Sequence, residues 1–270
     1  MEFIYNGKSI YYERYGAGEP LLILNGIFMS CASWTPFIPG FSKNSELLML
    51  DLIDQGRSAK VDHEYTLELQ EDLVGKFLDH LGIDAVNLCG ISYGGEVAMR
   101  FAAHSPRRVL KLILSNTTAY TSPWLKDIGH SWEYAFESGD GRQFFKTCIP
   151  TVYSPRFYEK NYAWAQAREE MFCRVFDQSI YDAFGRLTRS AETHDERANL
   201  SKITAPTLVI SSDSDYITPV FLQRELTAAI PGAGHVIISD AGHAAMYEKP
   251  AEFGALVLGF IGADAGINIV

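Results

Sequence analysis

Gly90-Ile91-Ser92-Tyr93-Gly94-Gly95 stands between an apolar run, Ala85-Val86-Asn87-Leu88-Cys89, and a helical pattern from Glu96 to His104. A strand, a serine between glycines and then a helix is the context of a nucleophile elbow. So sharp a strand-to-helix turn brings backbone and side chains very close. Gly90 and Gly94 remove the Cβ atoms that would clash, and Gly95 lets the helix settle on the sheet. Ser92 Oγ is then held out of the sheet edge, at the positive end of a helix. The five-residue pattern alone arises by chance in roughly one chain in ten of this size. Its weight therefore depends on what surrounds it.

The surroundings form an alternating pattern. Asn6-Gly7 between Phe3-Ile4-Tyr5 and Ser9-Ile10-Tyr11-Tyr12 is a hairpin signal. Leu21 to Leu24 is a continuous apolar run, as a buried parallel strand requires. Further strands are predicted over 46–52, 86–89, 109–114, 208–211 and 235–239. Helices are predicted over 66–81, 96–103, 221–229 and 251–261, the first from the spacing of Leu69, Leu73, Phe77 and Leu81. Strands alternating with helices predict an α/β protein whose mostly parallel central sheet is flanked by helices. Residues 118–200 break the alternation. They hold no good buried strand but many aromatics, among them Trp124, Trp132, Phe144, Phe145 and Phe184. A structureless connection of that length is improbable in a compact domain. The stretch reads as a helical lid inserted after the sixth strand, over a core built from 1–117 and 201–270. Most of its rings would form its own small core, and some would line an apolar cleft.

Composition narrows the function classes. A chain of 270 residues with 47% hydrophobic content can bury a full core. The net charge of −10, with no Lys/Arg cluster, argues against a nucleic-acid partner. No apolar run is long enough to span a bilayer. Met1 to Gly7 lacks the basic start and apolar stretch of a signal peptide. The four cysteines (Cys31, Cys89, Cys148 and Cys173) show no metal spacing, so free thiols in a cytoplasmic protein are expected.

A serine hydroxyl needs a base, and the base needs an orienting carboxylate. In an open α/β sheet these come from loops at the carboxyl ends of strands. Asp213 and Asp215 follow one late strand, and Asp240-Ala241-Gly242-His243 follows the last. The chain order is serine, then aspartate, then histidine, which separates this arrangement from the trypsin-like and subtilisin-like orders. The other histidines lack this placement and are assigned surface or structural roles.

From Leu21 to Phe260 the chain resembles the α/β-hydrolase superfamily, closest to lidded serine esterases. Four blocks carry the likeness: Leu24-Asn25-Gly26, Asp51 to Ser58, the elbow, and Pro206 to Pro219 with Gly242-His243 and Glu248-Lys249-Pro250. The resemblance implies an α/β-hydrolase fold and a catalytic triad of Ser92, Asp215 and His243. Asp215 is preferred to Asp213 because the family places its acid four residues before the proline that opens a helix, here Pro219. It also implies an oxyanion hole from the backbone amides of Ile27 and Tyr93. Asn25 stands where the family usually has His, and can still tie the loop by hydrogen bonds. Asn25, Phe28, Trp124 and Phe145 are the expected substrate-binding residues. Neither a metal nor an organic cofactor is implied. The Asp51 to Ser58 block resembles a structural turn of the family.

The expected activity is hydrolysis of a carboxylic ester with a hydrophobic acyl or aryl group through an acyl-enzyme. Rival expectations on the same triad are acyl-thioester hydrolysis or transfer, and carbon–carbon bond hydrolysis. The Asn25-Gly26 start and Gln55-Gly56 loop are faintly similar to acyl-carrier-dependent enzymes of lipid-precursor synthesis, which brings in an acyl carrier protein as a partner. A small-molecule receptor on the same fold is the rival of a different class.

Overall fold

Apolar runs become buried strands in a computed structural model that describes residues 1–262. The strands are β1 (Glu2–Tyr5), β2 (Lys8–Tyr15), β3 (Glu19–Leu24), β4 (Ser45–Leu50), β5 (Val86–Ile91), β6 (Val109–Ser115), β7 (Thr207–Ser212) and β8 (Gly234–Ile238). They form one eight-stranded sheet in the order β1-β2-β4-β3-β5-β6-β7-β8. The β1–β2 and β2–β4 pairings are antiparallel, and all the others are parallel. Every residue of β5 is buried, which is why that strand reads as apolar but for Asn87, whose Nδ2 donates to Glu19 Oε2 at 2.8 Å.

Helices α1 (Ile38–Phe41), α2 (Leu67–Leu81), α3 (Tyr93–His104), α9 (Val220–Ala229), α10 (Ala245–Glu248) and α11 (Pro250–Gly262) belong to the sheet region. Leu73, Val74, Phe77 and Leu78 of α2 are buried, and the helix ends at Gly82, whose φ of 67° is the left-handed cap. Between β6 and β7 lie α4 (Pro123–Glu137), α5 (Gly141–Val152), α6 (Pro155–Lys160), α7 (Tyr162–Val175) and α8 (Gln178–Ser190). These five helices fill most of the 118–200 stretch. The last eight residues of the expected core range lie outside the described residues. No described helix is long and apolar enough to cross a membrane.

Aromatic packing holds the inserted helices together. Phe144 meets Phe136, Phe172, Phe176, Tyr181 and Phe184 with ring centroids 5.5–6.0 Å apart. Phe28, from the loop after β3, enters this cluster against Trp132 at 4.9 Å and Phe184 at 5.0 Å. Two polar ties fasten α8 to the sheet side. Arg186 donates two hydrogen bonds, of 2.9 and 2.8 Å, to the buried carboxylate of Asp54. The Tyr93 and Ser190 hydroxyls share a hydrogen bond of 2.8 Å.

The parallel register brings the carboxyl ends of the central strands level. Leu24 pairs with Gly90, Ile91 with Ser115, and Ser115 with Ile210. The loops after β3, β5, β6 and β7 therefore emerge on one rim of the sheet.

Candidate active site

At that rim Ser92 has φ 53° and ψ −119°, a conformation that a residue with a side chain adopts only under constraint. The backbone imposes it. Ser92 N–H donates to Ser115 O at 2.9 Å, while Ser92 O accepts from Gly95 N at 2.8 Å and Glu96 N at 3.1 Å. Thr117 Oγ1 adds a third bond to that carbonyl, at 2.9 Å. Each elbow glycine has a specific neighbour. A Cβ on Gly90 would strike Gly94 O, and one on Gly94 would strike Leu24 O and lie 2.7 Å from Asn25 O. A Cβ on Gly95 would lie 2.7 Å from the Thr117 side chain. Helix α3 thus begins at Tyr93, a turn earlier than expected, because the elbow forces two glycines of low helix propensity into its first turn. Gly94→Ala should cost at least ~2 kcal/mol, since its clash is with backbone that cannot rotate away. Urea unfolding checks this as a lowered midpoint.

His243 and Asp215 are brought together by the loops after β8 and β7. His243 Nδ1 lies 2.9 Å from Asp215 Oδ2 and 3.1 Å from Oδ1. The Asp215 carboxylate also accepts from Ile217 N and Thr218 N, both at 2.9 Å, from Thr218 Oγ1 at 2.6 Å and from Asn116 Nδ2 at 2.8 Å. Burial alone would raise its pKa. The imidazole of His243 and the hydroxyl and amide donors outweigh burial and hold the carboxyl below its ordinary value. Asp213 plays a turn role instead, accepting from Asp240 N at 3.1 Å.

The histidine loop is anchored by a residue that sequence reasoning quoted but left without a task. Glu248 Oε1 accepts from Gly242 N at 3.0 Å and Ser154 N at 2.9 Å, and its Oε2 accepts from Ser154 Oγ at 2.5 Å. This carboxylate ties the residue before His243 to the start of α6. Asn116 and Thr218 were likewise missed. Their signal is position, since Asn116 directly follows β6 and Thr218 follows the acid by three residues.

The loop after β3 is held by the Asp51 to Ser58 turn. Gln55 Nε2 donates to Gly26 O at 3.0 Å and Asn25 O at 3.3 Å. Asp51 accepts from Cys31 N at 2.7 Å and Arg57 N at 2.8 Å. Among the described residues, neither Ile27 N–H nor Tyr93 N–H has a backbone partner. The Ser92 hydroxyl makes no side-chain cap bond to its helix.

Two cavities meet at Ser92. Ile27 and Trp132 also border both. The first continues along Tyr93, Glu96, Leu125, Ile128 and Ile217. The second holds His243 together with Phe28, Ile149, Tyr153 and Tyr247. Of the four residues expected to bind substrate, Phe28 alone borders either of these two cavities. Asn25 is buried beneath the loop, donating to Leu50 O at 2.9 Å and accepting from Trp34 Nε1 at 2.7 Å. Trp124 is 53% exposed, and its Nε1 donates to Tyr216 O at 2.6 Å. Phe145 is buried in the aromatic core of the insertion, 5.9 Å from Phe172. Helix amphipathicity separates buried from exposed faces, but not a face toward a cavity from one toward neighbouring helices.

A strained serine, a histidine hydrogen-bonded to an ionised buried aspartate, and two unengaged amides can together relay a proton and hold an oxyanion. The family description "alpha/beta hydrolase fold" matches residues 19–250. The crystal structure of MGS-M2, an alpha/beta hydrolase enzyme from a Medee basin deep-sea metagenome library, superimposes with a TM-score of 0.97, at 43% identity over 100% of both chains. Poly(3-hydroxyalkanoate) depolymerase of Ectopseudomonas oleovorans is 27% identical, covering 90% of this chain and 84% of the relative. The 2-hydroxymuconate semialdehyde hydrolase of Pseudomonas sp. strain CF600 is 25% identical, covering 93% and 89%. On this fold and this extent of likeness, the chain belongs to the α/β-hydrolase family and is a hydrolase.

Proposed function

We propose that the protein is a serine hydrolase that cleaves carboxylic esters with a hydrophobic acyl or aryl group. The observation that carries this reading is the convergence of Ser92 and His243 on one cavity, with the imidazole already oriented by an ionised, buried Asp215. Ser92 Oγ attacks the acyl carbon while His243 Nε2 takes its proton. The N–H groups of Ile27 and Tyr93 receive the oxyanion. Collapse of the tetrahedral species breaks the bond to the alcohol oxygen, which His243 protonates. Water, deprotonated by the same imidazole, then releases the acid. Asp215 remains ionised throughout, consistent with its lowered pKa.

The cavities divide the substrate. The leaving alcohol must lie within reach of His243, and therefore in the second cavity. The acyl group takes the first, whose wall includes Leu125, Ile128, Trp132 and Ile217. A fluorophosphonate probe tests the assignment. It should label the wild type, fail to label Ser92→Ala, and be antagonised by p-nitrophenyl esters that the wild type turns over. Absence of wild-type labelling would sink the reading; labelling without p-nitrophenyl ester turnover would leave a receptor or a very selective enzyme.

A further inference from the structure

Glu96 is the one carboxylate bordering the first cavity that is also buried, at 5% exposure. Its Oε2 is buried with no hydrogen-bond partner. Of the charged side chains that also border this cavity, Arg189 pairs with Glu64 and Glu133. A buried polar atom left unsatisfied destabilises a fold by ~1–3 kcal/mol, so its retention beside a reactive serine calls for a ligand.

We propose that Glu96 is a specificity residue, binding a hydroxyl or keto oxygen on the β-carbon of the acyl group. The inference rests on the serine-hydrolase reading and on the placement of the acyl group in the first cavity. The position follows from the backbone. Glu96 N–H donates to Ser92 O at 3.1 Å, so one helical turn separates the two residues. Ser92 is the N-cap of that helix, and both residues border the first cavity. A carboxyl reaching from Glu96 therefore meets an acyl chain on Ser92 close to its carbonyl, not at its far end. Burial pushes the Glu96 carboxyl well above its ordinary value. A neutral acid in an apolar wall donates one hydrogen bond and accepts another, which suits an uncharged oxygen better than an ammonium group.

Three methyl esters distinguish the possibilities: methyl 3-hydroxybutyrate, its near-isostere methyl 3-methylbutanoate, and methyl 3-aminobutyrate. With hydrolysis followed by pH-stat, the wild type should prefer the hydroxy ester over the methyl isostere by about tenfold or more in kcat/KM, the worth of one buried hydrogen bond. Glu96→Met should abolish that ratio, and Glu96→Gln, which keeps a donor and an acceptor, should retain most of it. Glu96→Met should also raise Tm, because it removes an unsatisfied buried group. A purely structural Glu96 would instead lower Tm and leave the ratio unchanged. Equal wild-type rates on the hydroxy and methyl esters, a preference for the amino ester, or a ratio that survives in Glu96→Met would each overturn the proposal while leaving Ser92 chemistry intact. If no ester turns over but Ser92 is labelled by fluorophosphonate, protection from labelling must show the same ranking. Failure of labelling itself would instead count against the serine-hydrolase reading.

Discussion

Ser92→Ala and His243→Ala should each lower kcat for a p-nitrophenyl ester by about 10⁵-fold, and the double variant should be scarcely worse than either. The near-identity of the three values is the informative part. If the serine attacks and the histidine takes its proton, removing one leaves the other with nothing to do. Independent contributions would multiply, and the double variant would then fall near the product of the two losses. Both single variants should fold. Alanine at position 92 must adopt the same φ of 53°, so the elbow's strain is neither relieved nor increased. His243 is buried at the cavity wall, and its loop is held through Gly242 by Glu248 rather than by the imidazole alone. Cooperative unfolding in all three variants, near the wild-type Tm for Ser92→Ala and lowered wherever His243 no longer pairs with the buried Asp215, with activity lost throughout, is the expected result. A His243→Ala protein that retained a tenth of the wild-type rate would rule out the proton relay.

The elbow was readable because geometry leaves few residues that can occupy it. Gly90, Gly94 and Gly95 each face an atom that excludes a Cβ, so glycine spacing encodes backbone proximity directly. The parallel strands were readable because both faces of β5 are buried, and a run apolar but for Asn87 can do little else. Chain order and strand-end position were enough to nominate Ser92, Asp215 and His243 as a set. The lining of the cavities was less accessible. Trp124 and Phe145 lie on neighbouring helices and are both aromatic, yet one packs near Tyr216 on the surface and the other inside the insertion. Which face of each helix meets the cleft depends on how five helices pack together, and no local period specifies that. Glu96 illustrates a related blindness. An acid in the first turn of a helix is ordinarily a favourable surface charge at the dipole. Only the position of α3, with its first turn driven beneath the insertion, makes this one a buried group at the wall of a cavity.

Asp215→Ala should lower kcat by about 10⁴-fold, whereas Asp213→Ala should stay within roughly tenfold of the wild type. The two acids stand two residues apart on one loop, but their environments differ completely. The Asp215 carboxylate is buried and gathers five donor groups, one of them His243 Nδ1. Asp213 lies on the exposed side and accepts from Asp240 N and Ser214 Oγ. Without Asp215 the imidazole loses the group that fixes its ring orientation and places its proton on Nδ1, so Nε2 is no longer reliably free to act as base. The same carboxylate links activity to acid stability. Its pKa is lowered in the folded state, so its ionised form favours folding at neutral pH. That contribution is complete above the unfolded carboxylate value of about 3.9, and is lost as pH falls through the lower folded value. Asp215→Asn should therefore be less stable than the wild type at pH 7, with the difference shrinking as the solution is acidified below about pH 4. Urea melts of both proteins across that range measure it. A difference that stayed constant down to the acid limit would show that the Asp215 charge contributes nothing to folding, leaving its hydrogen-bonding shape as the whole of its structural role.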